Sequence, residues 1–519
     1  MKVIYGAHLC RIAKETPPTS AEIEQLRHQT LYVSEDAQRA ANQMRYGAKG
    51  RFGAKFDPRK YLYHKSQRTF PTGLLESCMG ALHAPVLVGR PVLPPAQPWK
   101  IVPPTDIPGW APRRAQLEAW EALTQAERGV AVVTTGSGKT ILAAMLASSY
   151  PGETVLVTTP NLRLLNQNRA EIEAYLGEPV GILGDQQQDL APRVVVATIQ
   201  SLQSRIAAED PEVLAWLLTV TTWLCDECHG ASSDSYRLLS AALPNAHRRQ
   251  GFTATWRRED GCQLVLSAVL SERVVYQFSY EDGVADGILA PIRVWLRPFK
   301  HHVGKIKPVK GQKRITYADF YTKHLANNFA RNLQIIGDVC ALVDAGMDPC
   351  LVMVTRKDHG KYLAKMLGCP YLDGADSSVK VGKKGEKVSK VDAVLDEFLY
   401  QKKFKVLVAT NILNVGVNLR SLRSAVNGAG GDSSIDAEQK PGRGVRLWPG
   451  KTHFDYFDYL DVEPNFFGEH ARKREFIYKK VFPGRVFRAI FEPVGLEAGA
   501  SSEVDSAHDP LDNPSSSPL

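Results

Sequence analysis

The chain has 519 residues, 44% of them hydrophobic and 23% charged, and 64 Lys and Arg against 55 Asp and Glu give it a net charge of +9. Such a chain can bury several cores, which predicts about three domains in a globular protein. No apolar run is long enough to span a bilayer, no secretory signal stands at Met1 and the 8 cysteines are scattered, so a membrane role is excluded and a reduced, cytoplasmic compartment expected.

The first segment, 1–90, mixes helical periodicity with a basic stretch. From Arg39 to Arg68 there are nine basic residues and one acid, Asp57, interleaved with Tyr46, Phe52, Phe56, Tyr61 and Tyr63. Basic residues can track phosphates and aromatics can stack on bases, so Arg45, Lys49, Arg51 and Lys55 are candidate nucleic-acid contacts; a solvated face is the alternative. Smaller basic clusters follow at 300–314, 380–390 and 472–480. Seven prolines between Pro91 and Pro108 make 91–109 a semi-rigid linker.

Strands then alternate with helical patterns, as a parallel α/β sheet requires: 131–134, 154–159, 194–198, 221–225 and 251–255. After the first of these comes Thr134-Thr135-Gly136-Ser137-Gly138-Lys139-Thr140, with a helical run from Ile141 to Ser149. Glycines let successive N–H groups close around phosphate oxygens, and the helix that follows adds its positive end to the same anion. Thr135, Gly136, Ser137 and Gly138 would cradle the phosphates, Lys139 would supply a point charge, and the Thr140 hydroxyl a Mg²⁺ ligand. Val133 stands where the fuller pattern has its first glycine or alanine, and a plain Gly/Ser turn is the bland alternative.

The strand 221–225 ends on Asp226-Glu227-Cys228-His229. Two carboxylates at that edge of a parallel sheet suit Asp226 to Mg²⁺ and Glu227 to the water that attacks the γ-phosphate. Cys225 to His229 also spells the C-x-x-C-H pattern of haem attachment or of a redox pair. A second alternating set, 350–355, 405–410 and 452–456, predicts another α/β lobe. It contains Gln439-Lys-Pro-Gly-Arg443-Gly-Val-Arg446, whose two arginines, three apart, would share a helical face and reach the γ-phosphate across a cleft. The tail, 497–519, holds no Lys or Arg and is expected to be disordered.

Together, Gly-Ser-Gly-Lys-Thr, Asp-Glu-Cys-His, Thr253-Ala254-Thr255 and Gln-x-x-Gly-Arg-x-x-Arg resemble, in order, the motifs of superfamily 2 helicases of the DEAD/DEAH group, over roughly 110–465. The resemblance implies an α/β protein of two tandem RecA-like parallel-sheet domains, 110–290 and 291–465. A small basic N-terminal nucleic-acid-binding domain would precede them, and a basic extension, 466–496, and the tail would follow. It implies ATP and Mg²⁺ as ligands, with Lys139, Asp226, Glu227, Gln439, Arg443 and Arg446 catalytic. It further implies that Gln116 contacts adenine, that Gly416 lies near the nucleotide, and that Thr253 and Thr255 link ATP state to strand binding. Thr159, Thr198, Thr355 and Thr410 would touch the phosphodiester backbone. Asn418 departs from the usual Asp.

Gly287-Ile-Leu-Ala-Pro291, the Gly-Arg-Gly-Val-Arg form and Asp455-Tyr-Phe-Asp458 are similar to the UvsW-like phage recombination helicases and XPB-type translocases. That implies a DNA helicase or translocase for branched or forked duplex; the sequence leaves the oligomeric state open, with a monomer favoured. An RNA helicase, the motor subunit of a restriction system and a non-translocating ATP-gated clamp use the same nucleotide chemistry and remain open.

Overall fold

The computed structural model describes residues 1–33, 59–105, 109–232, 234–256, 262–300, 317–373, 379–381, 387–410, 419–431, 434–462 and 465–488. Arg45, Lys49, Arg51 and Lys55, Gly416 with Asn418, and the tail 497–519 lie outside the described residues.

The N-terminal unit is a four-stranded sheet of Lys2–Ile4 (β1), Leu9–Ile12 (β2), Thr69–Pro71 (β3) and Val86–Val88 (β4), ordered β3-β2-β1-β4. Helix α1 (Ser20–Gln29) joins it, started by a capping box in which Thr19 accepts from the N–H of Glu22 and Glu22 reaches back to the N–H of Thr19. Its core is Val3, Cys10, Ile12, Leu26, Phe70 and Leu74. This unit is seated on the next one. Arg128 donates to the carbonyl of Ala7 at 2.8 Å, His8 bonds Ser240 Oγ at 2.9 Å, and Gly73 passes so close that a Cβ there would collide with the carbonyls of Ser267 and Ala268.

The proline-rich segment is strapped to the first lobe and is no free spacer. The N–H of Gln97 bonds the carbonyl of Ser149, that of Val102 the carbonyl of Tyr175, and Ala96 and Ile101 pack on the lobe's core. That lobe begins with helix α2 (Arg114–Thr124). It continues through β5 (Arg128–Val133), α3 (Lys139–Ser149), β6 (Val155–Thr159), α4 (Leu162–Leu176), β7 (Val180–Gly184), β8 (Gln187–Asp189), β9 (Val194–Thr198), α5 (Ile199–Ala207), β10 (Thr222–Cys225), β11 (Arg248–Thr253) and β12 (Val274–Phe278). The strand order is β8-β7-β9-β6-β10-β11-β5-β12, with only β8 antiparallel to its neighbour. Central strands such as Val-Leu-Val-Thr-Thr (β6) and Val-Val-Val-Ala-Thr (β9) are buried along their whole length, because helices cover both faces.

The second lobe comprises β13 (Ile292–Phe299), α6 (Phe329–Asp344), β14 (Cys350–Met353), β15 (Tyr371–Leu372), β16 (Val406–Ala409), β17 (Ser424–Asn427), α7 (Ser434–Gly444), β18 (Phe454–Asp461), α8 (Asn465–Val481) and β19 (Val486–Arg488). Its seven strands run parallel in the order β15-β16-β14-β17-β18-β13-β19. Here the expected boundary at 465 needs correction: β19 pairs with β13 inside the sheet, and Arg474 of α8 is buried against Asp458 of β18 at 2.7 Å. Residues 465–488 are therefore an integral layer of the second lobe, and Arg474 is no part of a surface basic cluster. No helix among the described residues is long and apolar enough to cross a membrane.

Candidate nucleotide site between the two lobes

The loop between β5 and α3 turns twice through left-handed backbone, at Gly136 (φ 90°) and Gly138 (φ 87°), where a side chain would be strained. Gly138 is the residue from which α3 starts, so the N–H groups of that helix end face the loop. Ser137 is 3% exposed and its hydroxyl has no hydrogen-bond partner among the described residues. A concave backbone with an orphaned buried hydroxyl fits an anionic, phosphate-like ligand.

Gln116 holds this loop in shape. Its Oε1 accepts from the N–H of Arg113 at 2.8 Å and its Nε2 donates to the carbonyl of Ser137 at 3.0 Å, leaving it 3% exposed. Both ends of the amide expected to read adenine are engaged by backbone.

Lys139 Nζ meets Glu227 Oε1 at 2.7 Å. Burial alone would lower the lysine's pKa, but Glu227 and then Asp226 outweigh it and hold it above the ordinary value. Burial likewise works to raise Glu227, yet Lys139 and His229 bring its carboxyl below the ordinary range. Asp226 moves the other way, raised by burial and by the neighbouring Glu227 charge. Glu227 also sits at φ 48°, left-handed backbone that costs a non-glycine residue about 1–3 kcal/mol and is concentrated at functional sites.

Asn168, which no local pattern in the sequence marks, ties the two candidate Mg²⁺ ligands together. Its Oδ1 accepts from Thr140 Oγ1 at 3.5 Å and its Nδ2 donates to Asp226 Oδ2 at 3.4 Å, from a position only 4% exposed. A hydroxyl and a carboxylate so arranged are hard oxygen donors, the set that Mg²⁺ takes. His229 is the second residue without an assigned role: Nδ1 lies 3.4 Å from Glu227 Oε2 and 3.2 Å from Thr253 Oγ1. Thr253 Oγ1 in turn bonds the carbonyl of Thr255 at 2.9 Å. From the other lobe, Glu438 faces the Thr255 hydroxyl in the field of Lys480, His229 and Lys139.

Arg443 and Arg446 do not share one helix face as expected, because α7, which carries Gln439 half-buried, ends at Gly444. Two glycines and Pro441 weaken the helix there. Beyond it Leu289 bridges Arg446 in antiparallel fashion, and the N–H of Ala290 bonds the carbonyl of Val445 at 2.6 Å. That pairing turns Arg446 over the loop between β5 and α3: a Cβ on Gly136 would lie 3.2 Å from its Cγ. Burial pushes the Arg446 pKa down, as do Arg420 and Arg113, while Glu171 and Glu227 pull it up. Gly442 faces the loop too, its Cβ position 3.5 Å from Thr135 Oγ1, and Arg443 follows it half-buried.

The four candidate strand-contacting threonines all follow or end β6, β9, β14 and β16 at the carboxyl edge of their sheets. Two are enclosed. Thr159 is fully buried, and the Thr198 hydroxyl accepts from the N–H of Ser201 as the cap of α5, a structural task that the Thr before an apolar helix could have disclosed. Thr355 is exposed and Thr410 half-buried. Cys225 and Cys228 are fully buried, and burial pushes the Cys225 thiol up to about 12, so neither is presented for haem or redox chemistry.

Residues 110–258 match the family described as type III restriction enzyme, res subunit. The DNA 3'-5' translocase XPB2 of Sulfurisphaera tokodaii is 32% identical over 170 residues, covering 33% of this chain and 36% of that protein. The DNA 3'-5' helicase XPB of Kineococcus radiotolerans is 26% identical over 352 residues, 65% of this chain and 58% of that protein. The matches span less than two thirds of the length of these curated relatives. Among solved structures, UvsW of bacteriophage T4 is 16% identical with a TM-score of 0.42, covering 95% of this chain and 99% of that one. Through the 110–258 match and the XPB proteins, the chain is related to the superfamily 2 helicases.

Proposed function

We propose that the chain is an ATP-driven DNA helicase or translocase that remodels branched or forked duplex in replication, recombination or repair. It would act as a monomer in the cytoplasm of a bacterial or phage-infected cell. The observation that carries this reading is the seating of Arg446, from the second lobe, on Gly136 of the first lobe's phosphate loop, within the field of Glu227. Hydrolysis that needs groups from both lobes requires their closure, which makes ATP turnover a mechanical step.

In the proposed cycle the phosphates take Lys139 away from Glu227, freeing the carboxylate to orient and deprotonate the attacking water. Thr140 and Asp226, aligned by Asn168, would hold Mg²⁺, which neutralises charge on the phosphates. Arg446, with Arg443 beside it, stabilises the charge that develops as the γ-phosphoryl group leaves. Such fingers are worth about 10³–10⁵ in rate. The path from Glu227 through His229, Thr253 and Thr255 to Glu438 supports a link between the chemistry and the relative position of the lobes.

The names of the XPB relatives and the basic segment at 39–68 support DNA as the partner. ATP turnover measured with single-stranded, duplex, forked and RNA substrates tests the reading, with the largest stimulation expected from forked duplex. Stimulation by RNA alone would replace it with an RNA helicase. The restriction-subunit match keeps a second reading alive, a motor working beside a nuclease; DNA cleavage by the chain on its own, or with a partner nuclease, would favour it. For the N-terminal segment, replacing Arg45, Lys49, Arg51 and Lys55 together should lower the slope of log affinity against log salt by up to about four. An unchanged slope would return that segment to a solvated surface.

A further inference from the structure

The backbone that carries Arg446 is held from two sides. One side is the connector between the lobes, through Leu289 and Ala290. The other is Lys451, whose Nζ donates to the carbonyl of Gly444, the last residue of α7, and to the carbonyl of Arg420 at 3.1 Å. The ammonium lies 5.2 Å from the centroid of the Phe454 ring, and Gly444 presses on the same ring so closely that a Cβ there would collide with it.

Lys451 is 7% exposed and has no carboxylate partner among the described residues. Burial, together with Arg423, pushes its pKa down to about 7. An ammonium in so dry a place, without a counter-ion, costs stability unless its donors are used. Here they gather two carbonyls, one of them at a helix C-terminus, where the backbone dipole favours positive charge. The second carbonyl belongs to Arg420, which lies in the field of both Arg113 beside the phosphate loop and Arg446.

The geometry points to Lys451 as a positioning residue for ATP hydrolysis: by joining the end of α7 to the Arg420 segment, it fixes the height at which Arg446 stands over the phosphate loop. Its ammonium is turned inward onto these two carbonyls, and an apolar side chain of the same length could fill its space without holding either of them. This rests on the ATPase reading above.

The test measures DNA-stimulated ATP turnover by the full chain carrying Lys451→Met or Lys451→Arg. A finger displaced by an ångström should cost about 10–100-fold in kcat in the methionine variant, with KM for ATP within about twofold. The arginine variant, which keeps the donors, should recover most of the loss. In an Arg446→Ala background, Lys451→Met should have no further effect on kcat, because the two act on one event. Wild-type kcat in Lys451→Met, a loss in the Arg446→Ala background as large as in the wild type, or a rise in KM that accounts for the whole defect, would each overturn the inference and leave the ATPase reading standing. No turnover by the unaltered protein would instead overturn that reading and the inference with it. Should Lys451→Met melt below the assay temperature, Lys451→Gln, which keeps one donor group, is read by the same criteria.

Discussion

Lys139 and Glu227 are paired at 2.7 Å, so each is the other's counter-ion. Replacing either should therefore separate binding from chemistry. Lys139→Ala is expected to abolish ATP turnover with the far-UV circular dichroism unchanged, whereas Glu227→Gln should lower kcat about 10²–10⁴-fold and still bind a fluorescent ATP analogue. Turnover at the wild-type level in either variant would remove the residue from the mechanism. Asp226 gives a pH signature. Burial and Glu227 raise its pKa from 3.8 to about 6, so below that pH a proton occupies the carboxylate that a cation needs. The Mg²⁺ concentration for half-maximal turnover should rise about tenfold per unit below pH 6 and stay level above it; a requirement unchanged between pH 7 and 5 would contradict the assignment. Lys139, Asp226 and Glu227 stand out in the sequence as candidates because each belongs to a short run with its own strand, turn or helix around it, and the fold brings the three together. Asn168 escaped because its meaning is a distance to residues brought near only by the sheet, and a lone amide on α4 carries no local pattern; His229 stands in the quoted run beside Glu227, but its contact with Thr253 exists only because β11 lies next to β10.

At the scale of elements, β18 is the clearest case of a pattern that misleads. Phe-Asp-Tyr-Phe-Asp-Tyr-Leu-Asp reads as a half-polar strand, and only 452–456 stands out, yet all eight residues from Phe454 to Asp461 are buried. Each aspartate has an arginine from a different element: Asp455 with Arg293 at 2.6 Å, Asp458 with Arg474 at 2.7 Å, and Asp461 with Arg331 at 2.8 Å. These pairs hold β13, α6 and α8 to the strand, which is why a segment read as a basic extension is part of the lobe. Removing one partner strands a charge in a dry interior. Arg474→Met should destabilise the second lobe by about 3–5 kcal/mol, seen as a lower melting temperature, and adding Asp458→Asn should recover part of it. An unchanged melting temperature would show that the pair is not closed in solution.

For the whole molecule, the seam between the N-terminal unit and the first lobe decides whether they move together. Gly73 sits where even a methyl group would strike the carbonyls of Ser267 and Ala268, and Arg128 bridges the same seam to Ala7. Gly73→Val should unseat the unit, exposing 1–90 to limited proteolysis while ATP turnover without DNA is retained; full protease resistance would show the seam to be more forgiving than its geometry. The connector has the larger consequence. Leu289 pairs with Arg446, and its side chain also comes within 3.3 Å of a Cβ position on Gly136. With so little slack, a turn of one lobe would reach the guanidinium almost without backlash, and the stroke of the proposed engine would be set by the geometry of the connector around Leu289 and Ala290.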